Sequence, residues 1–166
     1  MSQRKPGRLF FANPGPTNIP DAILREMSRG TVDFMHDDFL EVYDEAMAGL
    51  KRLLFTKGEL FFYTASGHGA WEATLANLFS PGDKVLMVEG GYFSVTWGNM
   101  GKALGLDVEV LPADWRIGVD TASLSARLAA DAGHSIKAVC VVHNETSTGV
   151  TLPLAEIRAA IDAAGH

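Results

Sequence analysis

From residue 60 onward, short apolar runs alternate with segments of helical period, and this alternation restricts the fold more than any other feature of the chain. Residues 60–64, 84–88, 107–111 and 136–142 read as strands, while residues 69–79, 93–104, 121–130 and 153–164 read as helices. Strands separated by helices demand crossover connections, so the expected fold class is α/β with a mostly parallel sheet. Two helices precede the alternation. One runs from Asp21 to Arg29 with Gly30 as its stop, and a longer one over 38–55 carries Phe39, Val42, Tyr43, Met47, Leu50, Leu53 and Leu54 at spacings of three and four. Residues 1–20 form an amino-terminal arm with a Pro-Gly-Pro turn, and residues 21–166 carry the rest. Four strands, three crossovers and a stop after a helix read as an unfinished α/β domain.

Charge and composition narrow the partners. The net charge is −6 with no lysine or arginine run, which argues against a nucleic-acid footprint or an anionic-membrane patch. No stretch approaches the roughly 18 apolar residues of a membrane span, and the basic start lacks the apolar core of a secretory signal; a cytoplasmic location is the default. The single cysteine, Cys140, lies in an apolar strand pattern and reads as core packing rather than as a nucleophile.

In open α/β sheets ligands gather where the strands end, so the segments after each strand are the places to look for chemistry. Ser66-Gly67-His68-Gly69 follows the first. Small residues turning directly into a helix aim free backbone N–H groups and the positive helix end at one spot, which suits a phosphate; the competing reading is a helix capped by Ser66. The loop is neither a Walker loop nor a dinucleotide fingerprint, which argues against nucleotides. After the second strand, Gly90-Gly91 lets the backbone approach a ligand, and either Phe93 or Trp97 offers a ring face, core packing being the alternative for both. After the fourth strand, His143 to Gly149 gathers amide, carboxylate and hydroxyl groups. His143 and Glu145 are too sparse for a metal site, and His36-Asp37-Asp38 reads as a helix start. Together the loops describe an anion cradle, an aromatic face and a hydroxyl-rich edge, as a phosphorylated aromatic cofactor requires.

The strings "NPGPTNIP" (13–20), "ASGHGAWEA" (65–73), "SPGDKVL" (80–86), "HNETSTGV" (143–150) and "IDAAGH" (161–166) resemble, in order, the amino-terminal part of the class V aminotransferases, above all those acting on glyoxylate. The resemblance covers essentially the whole chain. It implies a three-layer αβα large domain of the pyridoxal-phosphate transferase type, incomplete in this chain, and pyridoxal 5′-phosphate as cofactor. By the same resemblance Gly67 and His68, with Ser66 beside them, hold the cofactor phosphate. Phe93 stacks on the pyridine ring, Trp97 falling one helical turn too late. Ser147 and Thr148 approach the ring near its phenolic oxygen, with Asn144 as an alternative donor, and Gly15 lines the substrate side.

The resemblance further implies amino transfer from serine, alanine or aspartate, with glyoxylate as acceptor, by a homodimer. Substrates are then a small amino acid and a 2-oxo acid, with neither nucleic acid nor membrane as a partner. In the family the lysine that bonds the cofactor aldehyde comes later than residue 166, and Lys84, Lys102 and Lys137 do not match it; a chain of these 166 residues alone is expected to be inactive and to expose unpaired strand edges. The resemblance also leads us to expect the fifth strand of the sheet between the second and the fourth, with later strands separating the first from the fourth. Two other readings compete. One is a non-catalytic module that binds phosphorylated ligands; the other is a different class V activity, such as desulfuration, which needs a mobile cysteine that Cys140 does not offer.

Overall fold

A computed structural model of the chain describes Gly7 and residues 12–165. The remainder of the arm read over residues 1–20, and His166 at the end of "IDAAGH", lie outside the described residues. The chain forms two compact units, Met1–Tyr63 and Thr64–His166.

The first unit contains helices α1 (Asp21–Met27) and α2 (Asp37–Leu53). The α2 helix starts where His36 accepts the Asp38 amide on Nδ1 at 3.3 Å, with Asp37 and Asp38 in its first turn and Lys51 and Arg52 in its last, each end carrying the charge its dipole favours. Its apolar stripe is as the spacing predicts, but neither α1 nor α2 buries a residue fully, and Val42, Leu53 and Leu54 are more than half exposed. Tyr43 packs between the rings of Phe39 and Phe62, with centroids 6.3 and 6.0 Å apart. The strand expected over 60–64 does not form: residues 60–63 run without a ladder partner, and Phe61 is 87% exposed. A strand exists only through its neighbours, and none of the described strands pairs with this one.

The second unit is built on a three-stranded parallel sheet in the order β2-β1-β3, with β1 Lys84–Glu89, β2 Asp107–Pro112 and β3 Ile136–Cys140. Helices α3 (Gly67–Leu78), α4 (Tyr92–Ala103), α5 (Thr121–Ala129) and α6 (Leu154–Ala163) surround it. The central strand explains the layering. Side chains alternate across a sheet, and Val85 to Val88 are all buried to 1% exposure or less, so β1 has a core on each face. Leu86 and Val88 pack with Leu124 and Leu128 of α5 and Ile157 and Ala160 of α6. Val85 and Met87 pack with Leu75 of α3, Trp97 of α4 and Cys140. Each such side chain gains roughly 1.5–3 kcal/mol on leaving water. The result is three layers, two helices on either side of the sheet. Gly101 permits α4 to approach β2 closely, since a Cβ there would lie 2.9 Å from a Val108 methyl.

Two further sequence expectations are corrected. The second expected strand pairs directly with the fourth, Val85 opposite Ala138 and Met87 opposite Cys140, so no fifth strand lies between them; those edges are already hydrogen-bonded to each other. The fourth strand stops at Cys140 instead of continuing to residue 142, and a small antiparallel hairpin follows, β4 (Asn144–Glu145) and β5 (Val150–Thr151).

Candidate functional site

Three segments of the second unit converge at the amino ends of α3 and α4. Ser66 occupies the N-cap position of α3 but makes no side-chain cap hydrogen bond. The capping alternative is therefore not realised. The carbonyl of Ser66 accepts the Gly69 amide at 2.9 Å, while the amides of Gly67 and His68 meet no acceptor among the described residues. This first turn presents uncompensated donors and the positive end of a twelve-residue helix. The His68 ring lies 5.1 Å from Trp71 and 5.9 Å from Phe93, centroid to centroid, which brings the start of α3 beside the start of α4.

The geometry separates Phe93 from Trp97. Trp97 is 9% exposed and belongs to the core, where it stacks on Trp71 at 5.1 Å with planes 16° apart. Phe93 is half-buried at the margin of that cluster, with Tyr92 edge-on against it at 5.8 Å. Of the two, Phe93 is the one whose ring lies beside the open turn of α3.

The third segment carries a residue that sequence reasoning missed. Glu145 is 1% exposed, and its carboxylate sits on the first turn of α4. Its Oε1 accepts the amides of Phe93 (3.3 Å) and Ser147 (3.1 Å) and the Ser147 hydroxyl (2.7 Å), while Oε2 accepts the Ser94 amide at 3.1 Å. Burial alone would raise the Glu145 pKa, but the Ser147 hydroxyl and the three amides outweigh it and hold the carboxyl below its ordinary value. The signal was present in outline: α4 follows Gly90-Gly91 and has no capping side chain of its own at the N-cap position. Ser94, fully buried, turns back to accept the amides of Gly90 and Gly91 at 3.0 and 3.1 Å, and Glu145 satisfies the amides that a local cap would have taken.

The hairpin hydroxyls are engaged in the same junction. Ser147 accepts the Tyr92 amide at 2.9 Å while donating to Glu145, and Thr148 donates to the Gly90 carbonyl at 3.3 Å. Thr146 is exposed and its hydroxyl makes no hydrogen bond among the described residues. Ser66, Gly67, His68, Phe93, Ser147 and Thr148 thus lie on three adjoining segments. Gly15 belongs to the first unit, where the Asn13 side-chain amide donates to its carbonyl at 3.3 Å. Cys140 is buried and its thiol is pushed up to about 11, in keeping with core packing.

Comparison with known proteins bears on what this arrangement serves. The family model for class V aminotransferases matches residues 9–166. The chain is 44% identical over 164 residues to a serine–glyoxylate aminotransferase of Methylorubrum extorquens, covering 98% of this chain and 41% of that protein. It is 40% identical to an L-aspartate–glyoxylate aminotransferase of Paracoccus denitrificans, covering 92% of this chain and 39% of the relative. Among solved structures, an alanine–glyoxylate aminotransferase from Nostoc sp. superposes with a TM-score of 0.82 at 29% identity, over 99% of this chain and 44% of that one. The chain spans about two-fifths of the length of the curated relatives it matches. With an αβα layering, a convergent pair of helix starts and a family match across nearly its whole length, the chain belongs to the class V aminotransferases.

Proposed function

We propose that the full-length protein transfers an amino group from serine, alanine or aspartate to glyoxylate with pyridoxal 5′-phosphate as cofactor, as a cytoplasmic homodimer. The observation that carries the cofactor site is the open first turn of α3, where among the described residues the Gly67 and His68 amides have no acceptor and the Ser66 hydroxyl makes no hydrogen bond. These donors fit a phosphate dianion: a hydrogen bond to a charged group contributes about 1.5–3 kcal/mol, and the helix dipole adds to it. When bound, the cofactor supplies an aldehyde to take up the amino group and a ring to accept the electron pair left when Cα loses its proton.

The chain's own residues hold and orient that ring. Phe93 lies against its face, while Ser147 and Thr148 shape the hairpin that borders its phenolic edge. Ser147 already donates to Glu145 and Thr148 to the Gly90 carbonyl, so of the three hydroxyls on this loop that of Thr146 is the one without an acceptor among the described residues. On the family resemblance alone, Gly15 is proposed for the substrate side in the full-length protein. The lysine that the chemistry needs for bonding the aldehyde and moving the Cα proton is assigned to the length that the relatives have and residues 1–166 do not.

Glyoxylate as acceptor is supported by relatives whose names pair it with serine and with aspartate at similar identity, 44% and 40%. That similarity leaves serine and aspartate side by side, and the Nostoc sp. alanine–glyoxylate aminotransferase, at 29% identity, adds alanine as the third candidate. The test is glycine formation from glyoxylate by the purified full-length protein, with each donor in turn and with pyridoxal phosphate added or removed. Glycine that depends on both donor and cofactor is expected. No glycine with any of the three, from protein carrying the cofactor, would overturn the reading.

A further inference from the structure

We propose that Glu145 is the positioning residue for the cofactor ring: its buried carboxylate fixes the first turn of α4 and thereby the place of Phe93. The inference rests on the cofactor site proposed above. Phe93 is reached through its own backbone, since its amide donates to Oε1 of Glu145, and the next amide, that of Ser94, donates to Oε2. The carboxylate therefore grips the peptide units on both sides of the ring-bearing Cα. The same Oε1 takes the Ser147 amide and hydroxyl, so the aromatic face and the hydroxyl loop are referred to one anchor across more than fifty residues of sequence.

Space has been reserved for this group. A Cβ on Gly91 would lie 2.4 Å from Cγ and 2.6 Å from Cδ of Glu145, although the backbone there is extended and admits any residue. Glycine at this position is required by the Glu145 side chain and the Ser147 hydroxyl bonded to it, and not by the turn. Occupied by its own anion, the start of α4 is closed to an outside one, which leaves the start of α3 as the seat for phosphate. Removing the carboxylate leaves the Phe93, Ser94 and Ser147 amides without acceptors, and the first turn of α4 must rearrange to satisfy them.

The test is a double-mutant cycle on the full-length protein, with pyridoxal phosphate titrated into the apoprotein and visible circular dichroism recorded on the bound form. Glu145→Ala should weaken binding by roughly three- to tenfold, the range set by an aromatic stacking contact, and change the dichroism of the ring. Glu145→Gln should fall between, because its amide oxygen can keep the bonds of Oε1 while its NH2 faces the Ser94 amide. In a Phe93→Ala background the Glu145 substitution should add little. Wild-type affinity in the single variants, or a double variant whose loss is the product of the two single losses, would overturn the proposal. Should Glu145→Ala not fold, Glu145→Gln carries the same cycle. A wild-type protein that binds no pyridoxal phosphate refutes the cofactor site itself, and this inference with it.

Discussion

Replacing Gly91 by alanine adds one methyl group at the most crowded point of the site. The residue has φ 164° and ψ −165°, extended values that alanine adopts without strain, so the backbone contributes nothing to the cost. All of it is steric. The new Cβ would stand 2.4 Å from Glu145 Cγ and 2.6 Å from both Glu145 Cδ and Ser147 Oγ, where carbon contacts settle at about 3.5–4.0 Å. The carboxylate must therefore move by about 1 Å, and it cannot then keep its bonds to the Phe93 and Ser94 amides. Losing a helix cap costs about 1 kcal/mol and overpacking about 1–3 kcal/mol, so Gly91→Ala should destabilise by about 2–4 kcal/mol. Urea unfolding of the full-length protein measures this as a drop in midpoint at unchanged slope. In a Glu145→Ala background the same substitution should cost much less, because two of the three obstructing atoms are gone. A Gly91→Ala protein within about 0.5 kcal/mol of wild type would refute the placement of the Glu145 side chain.

Three further outcomes are expected. Cys140, its thiol raised to about 11 by burial, should resist a thiol-specific disulfide reagent at pH 8 until the protein is unfolded; rapid labelling of the native protein would contradict its place in the core. Asp120 caps α5 by accepting the Ala122 and Ser123 amides, both at 3.2 Å, so Asp120→Ala should lower stability by about 1 kcal/mol and Asp120→Asn by less, measured by the same urea titration. Glu145 faces neutral donors on Ser147, Ser94 and Phe93, and its carboxyl is lower in the folded state than in the unfolded chain. Its contribution is thus complete above the ordinary carboxylate range and is lost as pH falls through the lowered folded value. Wild type should lose stability on acidification more steeply than Glu145→Gln, and equal slopes would contradict this account.

What the sequence disclosed depended on how local each feature was. Residues 84–88 were legible as a strand and residues 121–130 as a helix, because the apolar run and the helical period there are written within a few residues; that β1 is buried on both faces and that Asp120 caps α5 came from the structure. Residues 60–64 have the composition of a strand, but a strand needs a partner, and the described strands pair among themselves. The stripe of α2 was legible as a helix; whether that face is covered depends on what meets it, and Leu53 and Leu54 remain exposed. Strands β4 and β5 have two residues each, too few for a period to show. Glu145 was the most instructive omission. Read with its neighbours it resembled an incomplete metal pair with His143, whereas its partners are amides 51 and 52 residues earlier in the chain. A helix beginning at Gly-Gly with no cap of its own was the trace that a distant cap must exist.

The central claim is that the start of α3 holds the phosphate of pyridoxal phosphate while Phe93 lies against the ring. A crystal structure of the full-length protein with the cofactor bound tests it most directly. The account predicts phosphate oxygens within about 3 Å of the Gly67 and His68 amides, and the Phe93 ring facing the pyridine. A cofactor bound with those amides still facing solvent, or with its phosphate seated at another helix, would contradict it.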